Sequence, residues 1–228
     1  EREYTGLTTA MFTFSASTLN DDGNPRCPAD HMREIQEGWN QARKELYRAL
    51  SGFEWEYARV WEPTSETGRG PAGYGHLHVA VFVNAGADEI ASVNSETFET
   101  TMERYCEAVE AAHPAAHRAD GSAVSVNHSV NNVGSYISEY IGSYGEKATE
   151  REIHEQQFYA TVWATATRRV SFSEGANELI GRDKERQERE ERRETTGTRP
   201  EDRGGSDGCE DSAEPRGGAE WLEGGEDE

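Results

Sequence analysis

His76 and His78 stand two residues apart at the head of an apolar run, Gly75-His76-Leu77-His78-Val79-Ala80-Val81-Phe82-Val83. Side chains alternate along a strand, so both imidazoles point one way while Leu77, Val79, Val81 and Val83 point the other, toward a core. Two imidazoles so placed on a rigid strand can share a metal ion. Downstream, Tyr136 and Tyr140 in Tyr136-Ile137-Ser138-Glu139-Tyr140 offer a pair of phenols. A phenol is a weak nucleophile, with a pKa of about 10, and needs a nearby cation or base to act near neutrality. The chemistry these types can perform together is metal-assisted attack of a phenolate on phosphorus.

A carboxylate completes the set. Glu62 closes an expected strand, Glu56 to Glu62, that pairs with the histidine strand as a long-looped hairpin. If the register is right, its carboxylate lies beside His76 and His78. Two imidazoles and one carboxylate leave open positions on Mg²⁺ or Mn²⁺, and an open cation can grip a phosphate oxygen. Glu56 and Glu66 are weaker alternatives for the third ligand. His113 and His117 form another pair, but Pro114 lies between them and they read as loop or surface residues. Tyr136, Tyr140 and Tyr144 recur at helical spacing, which is also what an ordinary amphipathic helix with a core-facing tyrosine stripe looks like.

These groups need a scaffold. Met11 to Ala16 alternates and suits a strand. Met32, Ile35, Trp39, Ala42 and Leu46 recur at three and four residues and predict a helix from about Asp30, its N-cap, to Leu50. Ser95 would cap a second helix with Phe98, Met102, Tyr105 and Val109 inward. A strand is expected over 123–130, a short helix over 133–144, a longer helix over 149–166 and a last strand over 168–173. Helices interleave with hairpins, so the fold class is α+β with a central antiparallel sheet flanked by helices.

The chain has 228 residues and a net charge of −21, with 44 acidic residues against 23 Lys and Arg, and only three of the bases are lysines. This acidic, lysine-poor composition is that of a protein from an extreme halophile. At molar salt the Debye length is about 3 Å, so repulsion from a polyanion is largely screened and counterion-release affinity is lost too. Binding DNA would then depend on stacking, hydrogen bonds and metal bridges. Residues 181–228 hold 17 acids and 9 bases and almost no apolar side chains apart from Trp221-Leu222. That composition cannot offset ordering entropy, so a disordered charged tail is expected after a domain of residues 1–180. Cys27, Cys106 and Cys209 are scattered and odd in number, which argues against a disulfide framework and fits a cytoplasmic setting. No apolar run approaches a membrane span. The first residue is Glu1 rather than Met, as in a fragment or processed product.

In order along the chain, Met11-Phe12-Thr13-Phe14-Ser15, Arg59-Val60-Trp61-Glu62-Pro63, His76-Leu77-His78, Tyr136-Ile137-Ser138-Glu139-Tyr140 and Arg168-Arg169-Val170-Ser171-Phe172-Ser173 resemble the motif series of HUH-superfamily rolling-circle replication initiators (Rep), specifically those of halophilic archaeal plasmids and viruses. The resemblance covers roughly residues 7–180. It implies the HUH endonuclease, ferredoxin-like form of the sheet, with a nucleophile helix over the histidine face. It also implies a metal held by His76, His78 and Glu62, and nicking of single-stranded origin DNA, at a hairpin, by Tyr140 with Tyr136 as second nucleophile. The products would be a 5′-phosphotyrosine link and a free 3′-hydroxyl. A host helicase and polymerase are the further partners implied. One departure is Glu139, where relatives often carry lysine before the second tyrosine.

Other readings keep parts of this. A relaxase or transposase would use the same chemistry, although tyrosines that follow the histidines favour an initiator or a transposase. A catalytically silent DNA-binding member of the fold fits the missing lysine and the negative charge. A cupin-like metal hydrolase would recruit His128 as an additional ligand.

Overall fold

The structure, a computed structural model, describes residues 6–64, 73–86, 89, 92–128, 150–178 and 181 of the chain. It is an α+β fold built on one five-stranded antiparallel sheet. The strands are β1 (Leu7–Phe14), β2 (Glu54–Pro63), β3 (Gly75–Asn84), β4 (Val124–Asn127) and β5 (Val170–Phe172), in the order β4-β1-β3-β2-β5. The helices are α1 (Pro28–Ala49), α2 (Glu99–Ala108) and α3 (Ile153–Ala164). By contact the chain divides into Glu1–Lys184 and Glu185–Glu228. The second unit, which holds most of the expected charged tail, lies outside the described residues, as does the expected helix over 133–144 with Tyr136, Tyr140 and Glu139. Among the described residues, no helix is long and apolar enough to cross a membrane.

The apolar run of β3 needs two neighbouring strands and a covered face, and it has them. Leu77, Val79, Val81 and Val83 are fully buried, each burial worth about 1.5–3 kcal/mol. Phe12 and Phe14 of β1 share that face. Phe14 meets Trp39 of α1 at 5.7 Å and Tyr105 of α2 at 4.7 Å between ring centroids, and Phe12 meets Phe98 edge-on at 5.0 Å. Close approach of α1 to α2 depends on Gly38, where a Cβ would stand 2.3 Å from Val109 Cγ2. Phe158 and Val162 of α3 join the same cluster. Phe158 lies so close to Gly75 that a Cβ there would be 2.4 Å from its ring. The start of the histidine strand is thereby pinned from the core side.

Three helix starts differ from the sequence expectation; α3, expected from 149, begins at Ile153 with Glu152 as N-cap. Helix α1 begins at Pro28, with Cys27 as N-cap, because proline suits the first helical position. Asp30 therefore sits in the first turn, where it pairs with Arg33 at 2.7 Å. Asn94 replaces Ser95 as cap: its side chain accepts the Thr97 N–H, and the Thr97 hydroxyl accepts the Asn94 N–H. This capping box opens a 3₁₀ turn, Ser95–Phe98, that runs into α2. Phe98, Met102, Tyr105 and Val109 are buried as the spacing predicts.

Candidate metal centre

Register decides the site. β2 and β3 pair antiparallel with Glu62 opposite His76 and Val60 opposite His78. Alternation then puts Glu62, His76 and His78 on one face of adjoining strands, away from the helical core. The Glu62 Oε2 atom is 3.2 Å from His78 Nε2 and 3.7 Å from His76 Nε2. The two imidazoles stand edge to face, 4.6 Å between centroids. One donor atom from each residue can be chosen so that all three lie within 4.8 Å of one another. Among the described residues, this is the one group of His, Cys, Asp and Glu so gathered.

Its electrostatics suit a cation. Burial by itself would raise the Glu62 pKa. Hydrogen bonds with His76 and His78, together with their charge, outweigh burial and hold the carboxyl well down, at about 2. The carboxylate is thus ionised at any pH near neutrality. Two nitrogens and one ionised oxygen on paired strands fit a divalent ion with open positions.

Behind the ligands stands Thr13. β1 pairs with β3 on the side away from β2, and Thr13 lies opposite His78. The Thr13 Oγ1 atom is 3.1 Å from His78 Nδ1. A second partner on the far ring nitrogen fixes the ring plane and aims Nε2 toward Glu62. Alternation places Thr13 on a face of β1, but the pairing of β1 with β3 joins residues far apart in the chain. The sequence alone therefore did not mark it as a site residue.

The other candidates fall away from the site. Glu56 lies opposite Phe82, six residues from Glu62 along β2, or roughly 20 Å. His128 hydrogen-bonds Thr8 at 3.2 Å. Thr8 and Thr13 are five residues apart on β1, roughly 16 Å, so His128 cannot join His76 and His78. Glu66, Tyr136 and Tyr140 lie outside the described residues. His117 is not a surface residue but is 4 % exposed. Its Nδ1–H donates to the His113 carbonyl at 3.0 Å, and its Nε2 accepts the Ser15 N–H at 3.2 Å.

The model of the family described as "Putative rep protein (DUF1424)" matches residues 1–219. The chain belongs to this Rep family. It is 35 % identical over 210 residues to an "Uncharacterized 36 kDa protein" of Halobacterium sp. (strain GN101), covering 86 % of the chain and 62 % of that relative. A second "Uncharacterized 36 kDa protein", from Halobacterium salinarum, is 32 % identical over 188 residues, covering 76 % of the chain and 56 % of the relative. The matches thus span about three-fifths of the relatives' length. No solved structure matches the chain.

Proposed function

We propose that this chain is a replication initiator of the HUH type, which nicks single-stranded origin DNA by metal-dependent tyrosine transesterification in the cytoplasm. The observation that carries the reading is the Glu62–His76–His78 group, formed on one sheet face of a Rep-family chain. Bound there, a Mn²⁺ or Mg²⁺ ion would supply a grip on a non-bridging phosphate oxygen and polarise phosphorus.

The chain's own residues do the rest. Glu62 contributes a carboxylate already free of its proton. His76 and His78 present ring nitrogens from a strand pinned on its other face by the core. The Tyr140 phenol, after losing its proton, attacks phosphorus. The Tyr140 oxygen–phosphorus bond forms and the bond to the 3′-oxygen breaks. That oxygen leaves and takes a proton, which gives a 5′-phosphotyrosine link and a free 3′-hydroxyl to prime synthesis. Tyr136 attacks the regenerated origin phosphate in the same way, and the 3′-hydroxyl so freed attacks the Tyr140 phosphotyrosine, which closes the strand and returns the Tyr140 phenol without water. An origin hairpin that exposes the single strand, with a host helicase and polymerase, makes up the rest of the machinery.

The test uses the full chain with end-labelled single-stranded origin DNA and Mn²⁺ at molar salt. A covalent protein–DNA adduct is expected. It should vanish in Tyr136→Phe/Tyr140→Phe, in His76→Ala/His78→Ala and in a chelator. An adduct that survives the double tyrosine variant, or none with the unaltered chain, defeats the proposal.

A further inference from the structure

Two motif segments have no part in the metal centre: Arg59, three residues before Glu62, and Arg168-Arg169 ahead of β5. The β2–β5 pairing brings the two segments side by side, with Arg59 on the face of the sheet away from the metal centre. Arg59 lies opposite Val79, a core-face residue, whereas Glu62 lies opposite His76. Ser171 of β5 pairs with Arg59, and its hydroxyl accepts the Arg59 Nε–H. The Arg59 Nη1 donates to Gln36 Oε1 of α1 at 2.8 Å. Arg43, also on α1, donates to the Tyr57 hydroxyl at 3.2 Å.

These partners are all neutral. Among the described residues, Arg43, Arg59 and Arg168 have no carboxylate within ion-pair distance, although acids outnumber bases 44 to 23 in the chain. Burial lowers the Arg59 pKa, and the like charges of Arg43 and Arg168 lower it further. Three cations are therefore held within range of one another, in a chain with ample acid to neutralise them elsewhere.

An aromatic surface adjoins this cluster. Trp163, near the end of α3, is 75 % exposed. Tyr159 stands one turn earlier on the same face, with the Arg151 guanidinium 4.9 Å and the Arg169 guanidinium 5.3 Å from its ring centroid. Ala166 takes the left-handed conformation at φ 51°. It turns the chain so sharply that the Thr167 N–H reaches the Val162 carbonyl at 3.0 Å. Trp163 and Arg168 each adjoin one end of that hydrogen bond, and both are exposed. The Trp61 N–H bonds the Arg169 carbonyl at 2.8 Å, which ties the segment to β2.

We infer that this turn, with Trp163, Arg168, Arg43 and Arg59, is a second contact surface for single-stranded DNA. Guanidinium groups match phosphate oxygens, and a flat exposed indole stacks on an unpaired base. A duplex hides its base faces, and an acidic peptide offers nothing flat to stack. At molar salt, where simple charge attraction is screened, stacking combined with fixed hydrogen bonds is the mode of binding that remains. Arg59 and Glu62 are three residues apart on β2, about 10 Å along the strand and on opposite faces. A strand leaving the metal centre around the β2–β5 edge reaches this surface. The inference deepens the nickase reading by placing the DNA that flanks the scissile phosphate, and it rests on that reading only for this path.

The experiment titrates the full chain with labelled oligothymidylate in EDTA and molar KCl, following anisotropy and tryptophan fluorescence together. Binding with quenching is expected. Trp163→Ala should abolish most of the quench and weaken binding about tenfold or more, while Trp163→Phe should retain stacking and stay within about threefold. Arg168→Ala should weaken binding severalfold and lower the salt slope by about one. Circular dichroism checks that each variant is folded. The inference is overturned if the unaltered chain does not bind, if Trp163→Ala/Arg168→Ala binds as tightly as the unaltered chain, or if duplex DNA or polyglutamate competes as well as the single strand. His76→Ala/His78→Ala should keep the Trp163-dependent quench, and loss of that quench also defeats the inference. Adduct formation with no Trp163 effect removes this surface and leaves the nickase standing. A quench without any adduct does the reverse.

Discussion

The chain holds two histidine pairs, and only one turns both rings on a common carboxylate. In the first, His76 and His78 present their Nε2 atoms to the same carboxylate oxygen, 3.7 and 3.2 Å away. In the second, His117 spends both ring nitrogens on the backbone: Nδ1–H on the His113 carbonyl, Nε2 on the Ser15 amide. Burial holds its pKa down, and the neutral ring acts as a bridge between β1 and the loop before β4. It has no lone pair left for a metal. Spacing alone would admit both pairs. What separates them is whether both rings turn a nitrogen toward one carboxylate oxygen.

The sharpest way to break this contrast is to remove each pair in turn. His76→Ala/His78→Ala takes away two of three ligands, so calorimetric titration with Mn²⁺ should show no binding, and the metal-free protein should lose the contribution of the Glu62 pairing, about 2 kcal/mol. His117→Ala should leave Mn²⁺ binding intact. It leaves the Ser15 N–H and the His113 carbonyl without their partner, at about 1–3 kcal/mol for the buried one. Denaturant unfolding should register that loss while Mn²⁺ affinity stays the same. If His117→Ala weakened metal binding as much as the strand variant, the distinction would be void.

Acid offers a smaller effect with a definite sign. The Glu62 carboxyl is depressed in the fold to about 2, against an ordinary 4.5. Its pairing with the histidines therefore contributes stability above about pH 4.5, which is lost as pH falls through about 2. The contribution is about 2 kcal/mol once solvent screening of a partly exposed group is allowed for. Glu62→Gln lacks it. The stability gap between the metal-free wild type and Glu62→Gln should close as pH falls between those two values. A gap that persists to the acid end would mean that the carboxyl is not engaged by the imidazoles.

Part of this was legible in the sequence and part was not. The β2–β3 hairpin and the placing of Glu62 beside the histidines followed from alternation and from a carboxylate at a strand end, because a hairpin joins near neighbours in the chain. The inward stripe of α2 followed from its 3.6-residue spacing. Thr13 did not emerge, since its partner lies 65 residues away and nothing local announces that β1 flanks β3. His117 lies in a loop as expected, but its burial was not legible, because a histidine three residues after Pro114 carries no local mark of what covers it. Only the tertiary structure reveals that Tyr105 stacks near it, at 5.1 Å, and that β1 supplies its donor. The gathering of Arg43, Arg59 and Arg168 was equally hidden, because composition reports a charge total and not which charges are left together.

The finest test falls on Thr13. In the metal-free protein His78 Nε2 lies 3.2 Å from Glu62 Oε2, so it carries a proton to share with that oxygen. Binding an ion through Nε2 requires that proton to leave. Nδ1 must then carry the ring's proton. A hydroxyl suits both states, because it can donate to a bare Nδ1 or accept from Nδ1–H. Thr13→Val keeps the shape and removes the hydroxyl, and Mn²⁺ affinity should fall about tenfold, the low end for a group that orients a metal-binding histidine. Thr13→Ser should restore most of it. A purely structural threonine would lower the melting temperature and leave the tautomer of the metal-free His78 ring unaltered. A positioning threonine changes that tautomer, since its hydroxyl can donate to a bare Nδ1. The ¹⁵N NMR shifts of the His78 ring in the metal-free protein separate the two. An unaltered tautomer in Thr13→Val would reduce Thr13 to packing, and the histidine pair would then depend on Glu62 alone for its orientation.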